Sequence, residues 1–259
     1  MTAVRTPTPK DGVCWITGAS SGIGEHVALR LAAEGWTVCA SARRAENLAE
    51  VAARATGPGK IVPVPLDVTD LEATRAAVAG IRAQHGEIAL CILNAGTYKP
   101  DGAKGFKAEE FKATIDINVL GVAYGLDAVL PGMIERRLGH IVVVSSVAGY
   151  RGLPRALAYG ASKAAMINMT ESLKMDVERY GIKTQLVNPG FIKTPLTDKN
   201  DFPMPFLMPV EEASARMVTE MKQDHFEITF PRRFAFILQR MRCMPYPLYF
   251  ALARKTVPK

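Results

Sequence analysis

Apolar runs of strand length alternate along this chain with amphipathic stretches of helix length, and this rhythm is the feature that most constrains the fold. An apolar run over residues 12–17 precedes a helical stretch over 24–34, and a second pair follows over 37–42 and 45–55. Parallel neighbours in a sheet need long right-handed crossovers, so the rhythm predicts a parallel sheet with helices on both faces. Further strands are predicted at 61–65, 90–93, 140–145, 183–187 and 227–230, and further helices at 71–84, 109–133, 158–180 and 210–222.

Length and composition fit one such domain. The chain has 259 residues, of which 48% are hydrophobic and only 7% aromatic. Small branched side chains of this kind fill the interior of a parallel sheet that is buried on both faces. We therefore predict an α/β fold made of a single Rossmann-type, doubly wound parallel sheet, with one domain spanning residues 1–259.

Cysteine and histidine positions argue against a metal site. Cys14, Cys39, Cys91 and Cys243 are scattered without a CxxC pair, and the four histidines do not cluster with them. We therefore predict no bound metal. Residues 1–11 lack the apolar core of a secretory signal, and no uncharged apolar stretch approaches the roughly 20 residues that span a bilayer, so a cytoplasmic location is expected.

The net charge of +7 comes from one end of the chain. Residues 228–259 hold seven basic residues and no acidic one, whereas the first 227 residues hold 25 basic and 25 acidic ones. No nucleic-acid motif accompanies the excess, so no nucleic-acid partner is predicted. Apolar side chains are interleaved with the charges, which makes the segment amphipathic. It is interpreted as a peripheral contact with an anionic membrane surface or, alternatively, as a cover for a pocket or subunit contact whose charges are solvated.

A glycine-rich turn joins the first predicted strand to the first predicted helix. Residues 17–24 read Thr-Gly-Ala-Ser-Ser-Gly-Ile-Gly, which places Gly18, Gly22 and Gly24 in the spacing GxxxGxG. Glycines at such a turn let the backbone approach a pyrophosphate, and the free N–H groups of the helix start attract its negative charge. For a glycine loop alone, the alternative is a tight turn that binds nothing.

Two further motifs follow in a familiar order. Residues 93–96 read Leu-Asn-Ala-Gly, and residues 159–163 read Tyr-Gly-Ala-Ser-Lys. Together with the glycine turn they resemble the short-chain dehydrogenase/reductase family, from about Val13 to about Thr194. The resemblance implies hydride transfer between a nicotinamide cofactor and a carbonyl or secondary alcohol, by a homodimer or homotetramer. Isomerases and epimerases on a similar fold usually show TGxxGxxG and a longer substrate domain, neither of which is present here.

Charge at the end of the second predicted strand indicates NADP(H) as the cofactor. An NAD-selective protein places an acid there against the ribose 2′-hydroxyl, but this chain has Ala42 followed by Arg43 and Arg44. A guanidinium can pair with a 2′-phosphate, which an acid would repel. The alternative, a solvated arginine at a helix start, suits Arg44 better than Arg43.

The resemblance also implies a set of cofactor contacts. Asp67 and Val68 would edge the adenine and Asn94 would lie beneath the cofactor, although Asp67 alone is equally consistent with a helix cap. Pro189 and Gly190 would reach the nicotinamide, with a plain turn as the alternative. The full set is Gly18, Ser20, Ser21, Gly22, Ile23, Gly24, Arg43, Asp67, Val68, Asn94, Tyr159, Lys163, Pro189, Gly190, Ile192 and Thr194.

The predicted catalytic residues are Asn118, Ser146, Tyr159 and Lys163. Tyr159 and Lys163 are four apart at the start of a predicted helix, so both side chains emerge on one face. A cation beside the phenol would lower the pKa of Tyr159, and the protonated phenol can donate to a carbonyl oxygen. By resemblance, Ser146 rather than Ser145 would bind the substrate oxygen. Asn118 would hold a water against the lysine, with a buried helix asparagine as the alternative.

The segment 191–209 interrupts the rhythm with four prolines and several large apolar residues. A loop this long in a compact domain is usually functional, so it is predicted to be a substrate loop or lid. Together with Tyr150, Arg151 and Leu153 it predicts a pocket for a lipophilic ketone or aldehyde; the alternative is an interface between subunits. The complete catalytic set favours an NADP(H)-dependent oxidoreductase over an NADPH-binding sensor or scaffold without turnover.

Overall fold

The computed structural model describes residues 4–200 and 202–254, and its centre is a seven-stranded parallel sheet. The strands are β1 (Val13–Thr17), β2 (Thr37–Ala42), β3 (Lys60–Pro65), β4 (Ile88–Leu93), β5 (Gly139–Val144), β6 (Ile182–Pro189) and β7 (Glu227–Phe230). Their order in the sheet is β3-β2-β1-β4-β5-β6-β7, and each paired neighbour runs parallel. The predicted doubly wound sheet is confirmed.

Helices cover both faces of this sheet. They are α1 (Gly22–Ala33), α2 (Ala45–Ala53), α3 (Leu71–His85), α4 (Ala108–Ile115), α5 (Gly121–Arg136), α6 (Leu157–Val177), α7 (Val210–Met221), α8 (Arg232–Arg242) and α9 (Tyr246–Ala253). Alternate residues of β1 enter different apolar clusters: Cys14 and Ile16 pack with α1, α2 and α7, whereas Val13 and Trp15 pack with α3, α5 and α6. This period of two is what a strand buried on both faces requires.

The helix predicted over 109–133 is interrupted in the structure. Between α4 and α5, the residues Asp116–Leu120 form a π-helical segment. Apolar periodicity predicts a helix but does not distinguish an i→i+5 turn from i→i+4 turns, so the interruption could not be predicted. Single π-helical turns of this kind are frequent at functional sites, and Asn118 lies at its centre.

The helical stretch 108–136 is long and apolar enough to cross a membrane by length and composition. In the fold, however, its apolar side chains have another partner. Val122, Leu126, Val129 and Met133 are buried in the cluster that also contains Trp15 of β1. Packing against the sheet therefore accounts for the apolarity of this stretch.

The strand order places a crevice where the chain changes direction. From β1 the chain moves outward through β2 and β3, and it then returns to place β4 on the opposite side of β1. The connections that follow β1 and β4 lead to helices on opposite faces of the sheet, α1 and α5. Ligands of open α/β sheets bind at this point, beyond the carboxyl ends of the strands.

Two segments outside the strand–helix rhythm lie near this edge. The described residues of the segment 191–209 form a loop with a 3-10 turn at Thr197–Lys199, and a bridge between Ile192 and Met208 draws the ends of the segment together. The C-terminal segment folds as the short helices α8 and α9, each preceded by a proline. Its last residues, 255–259, lie outside the described residues.

Candidate active site

A cavity of about 670 Å³ lies at the carboxyl edge of the sheet, beside the ends of β1, β4, β5 and β6. It brings together motifs that are far apart in the sequence. The predicted residues that line it are Gly18, Ser20, Ser21, Gly22, Ile23, Arg43, Asp67, Val68, Asn94, Ser146, Tyr159, Lys163, Pro189, Gly190, Ile192 and Thr194. Among the predicted catalytic and cofactor-binding residues, Gly24 and Asn118 do not line it.

The glycine turn forms one wall of this cavity. Gly18 and Gly22 have φ angles of 67° and 59°, a left-handed conformation that glycine adopts without strain. A Cβ atom at Gly18 would lie 2.7 Å from the Cα atom of Ala95. Ser21 makes no side-chain cap to α1, so the first N–H groups of that helix remain available to an anion. These features fit the pyrophosphate of a dinucleotide cofactor.

Gly24, predicted as a cofactor contact, packs closely against the turn after β1. A Cβ atom there would lie 2.3 Å from the carbonyl oxygen of Gly18 and 2.5 Å from Nδ2 of Asn94. Asn94 itself lines the cavity and donates from Nδ2 to the carbonyl oxygens of Thr17 and Gly18, each at 3.1 Å. The absence of a side chain at Gly24 thus allows α1 to pack closely against the loops after β1 and β4.

The side chains of Arg43 and Arg44 are both exposed and both line the cavity. The structure therefore gives no reason to prefer Arg43 over Arg44 as the phosphate contact. Asp67, on the same wall, accepts from the N–H of Thr69 at 3.0 Å and from its hydroxyl at 2.8 Å. These bonds, with a smaller contribution from Arg43, lower the pKa of Asp67. The cap of α3 is Asp70, so the alternative role of Asp67 as a helix cap is wrong.

Ser146 and Tyr159 meet in the cavity wall. Ser146 follows β5, and Tyr159 lies in the first turn of α6. Burial raises the pKa of Tyr159 to about 12, and the hydroxyl of Ser146 acts in the opposite direction with a smaller effect. The hydroxyl of Ser145, by contrast, donates to the backbone carbonyl of Lys163 at 2.9 Å. The geometry therefore agrees with the preference for Ser146.

The effect of Lys163 on Tyr159 differs from the prediction. Its Nζ lies 5.6 Å from the centroid of the Tyr159 ring and donates to the carbonyl oxygen of Val144 at 3.1 Å. Because the ammonium is buried, its pKa falls to about 7. The expectation that this cation lowers the pKa of Tyr159 is wrong for the cofactor-free protein, since burial disfavours the charged forms of both groups.

Asn118 is fully buried and supports the site from behind the cavity wall. Its Oδ1 accepts from the N–H of Thr97 at 2.7 Å, and its Nδ2 donates to the carbonyl oxygen of Thr97 and to Oγ of Ser162. A Cβ atom on Gly96 would lie 3.4 Å from this Oδ1 and 3.6 Å from Nζ of Lys163. Asn118 thus lies near the lysine while binding the loop after β4.

The sequence analysis missed the contribution of this loop after β4. The ring of Tyr98 packs edge-on against Tyr159 with centroids 5.0 Å apart. Asp101 accepts from the backbone N–H groups of Leu157 and Ala158 at 2.7 and 2.8 Å, which caps α6 from a distant part of the chain. Gly96 belongs to the Leu-Asn-Ala-Gly motif, which could have drawn attention to this loop. Neither Tyr98 nor Asp101 belongs to a sequence pattern that indicates its partner.

Tyr150, Arg151 and Leu153, predicted to form the substrate pocket, do not line the cavity. Tyr150 donates from its hydroxyl to Oε1 of Glu227 at 2.5 Å. The guanidinium of Arg151 donates to three backbone carbonyls after and within α8, those of Met241, Arg242 and Met244. Tyr150 and Arg151 instead attach the loop after β5 to β7 and the C-terminal helices.

The segment 191–209 contacts both the cavity and α8. Its residues Pro195, Leu196 and Thr197 line the cavity. Phe191 stacks on Phe234 of α8 with ring centroids 5.3 Å apart. The segment therefore joins the cavity wall to the C-terminal helices.

Comparisons with known proteins agree with this geometry. A family model described as short chain dehydrogenase matches residues 12–203. An uncharacterized oxidoreductase of Myxococcus xanthus is 41% identical over 241 residues, which cover 93% of this chain and 95% of that protein. A 3-oxoacyl-(acyl-carrier-protein) reductase of Thermotoga maritima is 40% identical over 188 residues, 72% of this chain and 76% of that one.

A solved structure extends the likeness to the full length of the chain. The crystal structure of a short chain dehydrogenase from Burkholderia cenocepacia in complex with NADP matches with a TM-score of 0.80 and 25% identity, covering 100% of both chains. The chain belongs to the short-chain dehydrogenase family of oxidoreductases.

Proposed function

We propose that this protein is an NADP(H)-dependent oxidoreductase that interconverts a lipophilic ketone or aldehyde and the corresponding alcohol. The observation that carries the proposal is the meeting of Ser146, Tyr159 and Lys163 in the same cavity as the uncapped start of α1. One end of this cavity fits a pyrophosphate, and the other holds a proton donor.

Residues of this chain can transfer the proton and bind the substrate oxygen. A bound nicotinamide supplies or accepts the hydride. Tyr159, with a pKa of about 12, is protonated at neutral pH and can transfer its phenolic proton to the carbonyl oxygen. Ser146 donates to the carbonyl oxygen of Pro189 at 3.3 Å, a long bond that its hydroxyl can exchange for one to the substrate oxygen.

Lys163 would act after a negative group enters the cavity. Its pKa of about 7 in the cofactor-free protein leaves part of the population neutral at physiological pH. A nearby phosphate or a developing phenolate favours the ammonium form, because an opposite charge within a few ångströms stabilises it. The charged lysine would then stabilise the Tyr159 phenolate that remains after proton transfer.

The choice of NADP(H) over NAD(H) is supported by charge. Arg43 and Arg44 are exposed at the cavity beside the end of β2, and Ala42 occupies the position where an acid would select NAD. The Burkholderia cenocepacia structure contains NADP. Two guanidinium groups can form charge-assisted bonds to a 2′-phosphate.

A lipophilic substrate is supported by the aromatic side chains beside the cavity. Phe191 packs edge-on against Phe202 at 5.9 Å and stacks on Phe234, which in turn lies 6.1 Å from Phe206. Phe206 and Leu207 remain 47% and 42% exposed. The relative from Thermotoga maritima is named for a 3-oxoacyl substrate, whose carbonyl is carried on an apolar chain. We propose that the segment 191–209 closes over such a substrate.

The test is a panel of lipophilic ketones and aldehydes incubated with the purified protein and NADPH or NADH, with loss of nicotinamide absorbance as the readout. The proposal expects turnover of at least one apolar carbonyl, with NADPH preferred. NADPH binding without turnover on any carbonyl, or on the matching alcohols with NADP⁺, would instead support the sensor or scaffold alternative.

A further inference from the structure

The helix α9 is apolar around its whole circumference and yet lies largely in solvent. Its sequence Tyr-Pro-Leu-Tyr-Phe-Ala-Leu-Ala contains no charged residue, and only Tyr249 and Ala253 are buried. Tyr246, Leu248 and Phe250 are 67%, 52% and 47% exposed. A helix that is hydrophobic on all sides is normally buried, so this one requires a partner beyond the described fold.

The neighbouring helix α8 adds positive charge to the same surface. Arg233, Phe236, Ile237 and Arg240 are exposed and follow one another at helical spacing, and the guanidinium of Arg240 lies 4.8 Å from the ring centroid of Phe236. No acidic residue occurs in the segment 228–259. The exposed residues of α8 and α9, called here the C-terminal patch, are therefore both apolar and basic.

Contacts with the core hold the C-terminal patch at the edge of the sheet that carries the cavity. Arg151, which follows β5, binds the chain between α8 and α9, and its guanidinium lies 4.1 Å from the ring centroid of Tyr249. On the other side, Phe234 of α8 contacts Phe191 and the exposed Phe206. The apolar surface thus continues from the C-terminal helices to the loop that borders the cavity.

We propose that the C-terminal patch docks this protein on an anionic lipid bilayer. The apolar side chains of α9 enter the interface between headgroups and acyl chains, while the arginines contact the headgroups. A second copy fits this surface less well, because a two-fold contact places the same patch on both sides and would oppose arginine with arginine without any acid. The proposal goes beyond the proposed reaction and does not depend on it.

Vesicle co-sedimentation of the full chain tests this proposal. Phosphatidylcholine vesicles with and without phosphatidylglycerol are compared at low and high salt. Binding is expected only to the anionic vesicles and is expected to weaken as salt screens the charges. Arg233→Gln combined with Arg240→Gln should weaken binding about tenfold or more, since each base contributes separately to attraction by the anionic surface.

The apolar half of the patch has its own variant and controls. Leu248→Ser combined with Phe250→Ser should also weaken binding strongly, because it removes the side chains that enter the interface. Met175→Ser, a change at a residue 73% exposed on α6, and Lys60→Gln combined with Lys222→Gln are matched controls that should leave binding unchanged.

Two results would overturn the proposal. One is the absence of wild-type binding to anionic vesicles at low salt. The other is binding that the patch variants reduce no more than the controls do. Sedimentation velocity without lipid tests whether a second copy of the chain covers the patch instead. If the patch variants dissociate an assembly and leave vesicle binding unchanged, this surface is a subunit contact.

Discussion

At the scale of single residues, burial controls the protonation states of the site. Tyr159 keeps its proton because its phenolate would be poorly solvated, and Lys163 loses its proton readily for the same reason. The sequence places these residues on one helix face but carries no information on their solvation. Their identity as a pair was therefore predictable, whereas the direction of the Tyr159 shift was not.

Burial of the Lys163 amine should make the free energy of unfolding depend on pH. Its folded pKa of about 7 lies below the ordinary 10.5, so between these values the unfolded chain binds a proton that the folded chain does not. The wild type therefore gains stability as pH rises through this window. Lys163→Met has no lysine at this position and therefore lacks this gain. The free energy of unfolding of the variant should exceed that of the wild type, and the excess should be larger at pH 6.5 than at pH 9.5.

Denaturant unfolding of the two cofactor-free proteins at pH 6.5 and pH 9.5 measures this difference. We expect it to be larger at the lower pH by on the order of a few kcal/mol. Lys174→Met, a change at a partly exposed lysine of the same helix, is the control. A difference between Lys163→Met and the wild type that does not change with pH would contradict a depressed lysine pKa.

Cofactor preference should depend on Arg43. Arg43→Ala is expected to weaken NADPH binding by about 1 to 3 kcal/mol and to leave NADH binding nearly unchanged, because only NADPH carries the 2′-phosphate. Titration of intrinsic fluorescence with each cofactor measures both affinities. Arg179→Ala, which changes an exposed arginine before β6, is the control. Equal affinity of the wild type for the two cofactors would refute the preference.

At the scale of elements, α6 is positioned by a residue from another part of the chain. Asp101 caps its first turn from the loop after β4, and the same loop places Tyr98 against Tyr159. The β4 loop and the start of α6 should consequently move together. No local pattern predicts such a cap, because the N-cap position Ala156 has no side chain able to accept a hydrogen bond.

Removal of this distant cap should reduce both stability and turnover. Asp101→Ala is expected to cost about 1 kcal/mol of folding free energy and to lower kcat, because the first turn of α6 carries Tyr159. Asp70→Ala removes the equivalent cap from α3 and is the matched control, with a similar loss of stability and normal kcat. If the two variants lower kcat equally, Asp101 does not position the site.

At the scale of the whole molecule, the sequence predicted the repeated units better than the contacts between distant segments. The parallel sheet was predicted because apolar periodicity is a local pattern, and most residues of the short motifs line the same cavity. The roles of Tyr150 and Arg151 were predicted wrongly, because their partners lie 77 to 93 residues away along the chain. Only folding brings the C-terminal helices against the loop after β5.

The proposed reaction depends on Tyr159, which would supply the proton in a carbonyl reduction at this cavity. The most direct measurement compares NADPH consumption and alcohol formation by the wild type and Tyr159→Phe, using the best substrate of the panel. For the wild type we expect equal amounts of NADPH consumed and alcohol formed. For the variant we expect a loss of about 10²- to 10⁴-fold in kcat with NADPH affinity retained. A variant that folds, binds NADPH and reduces the substrate at a rate near that of the wild type would contradict it.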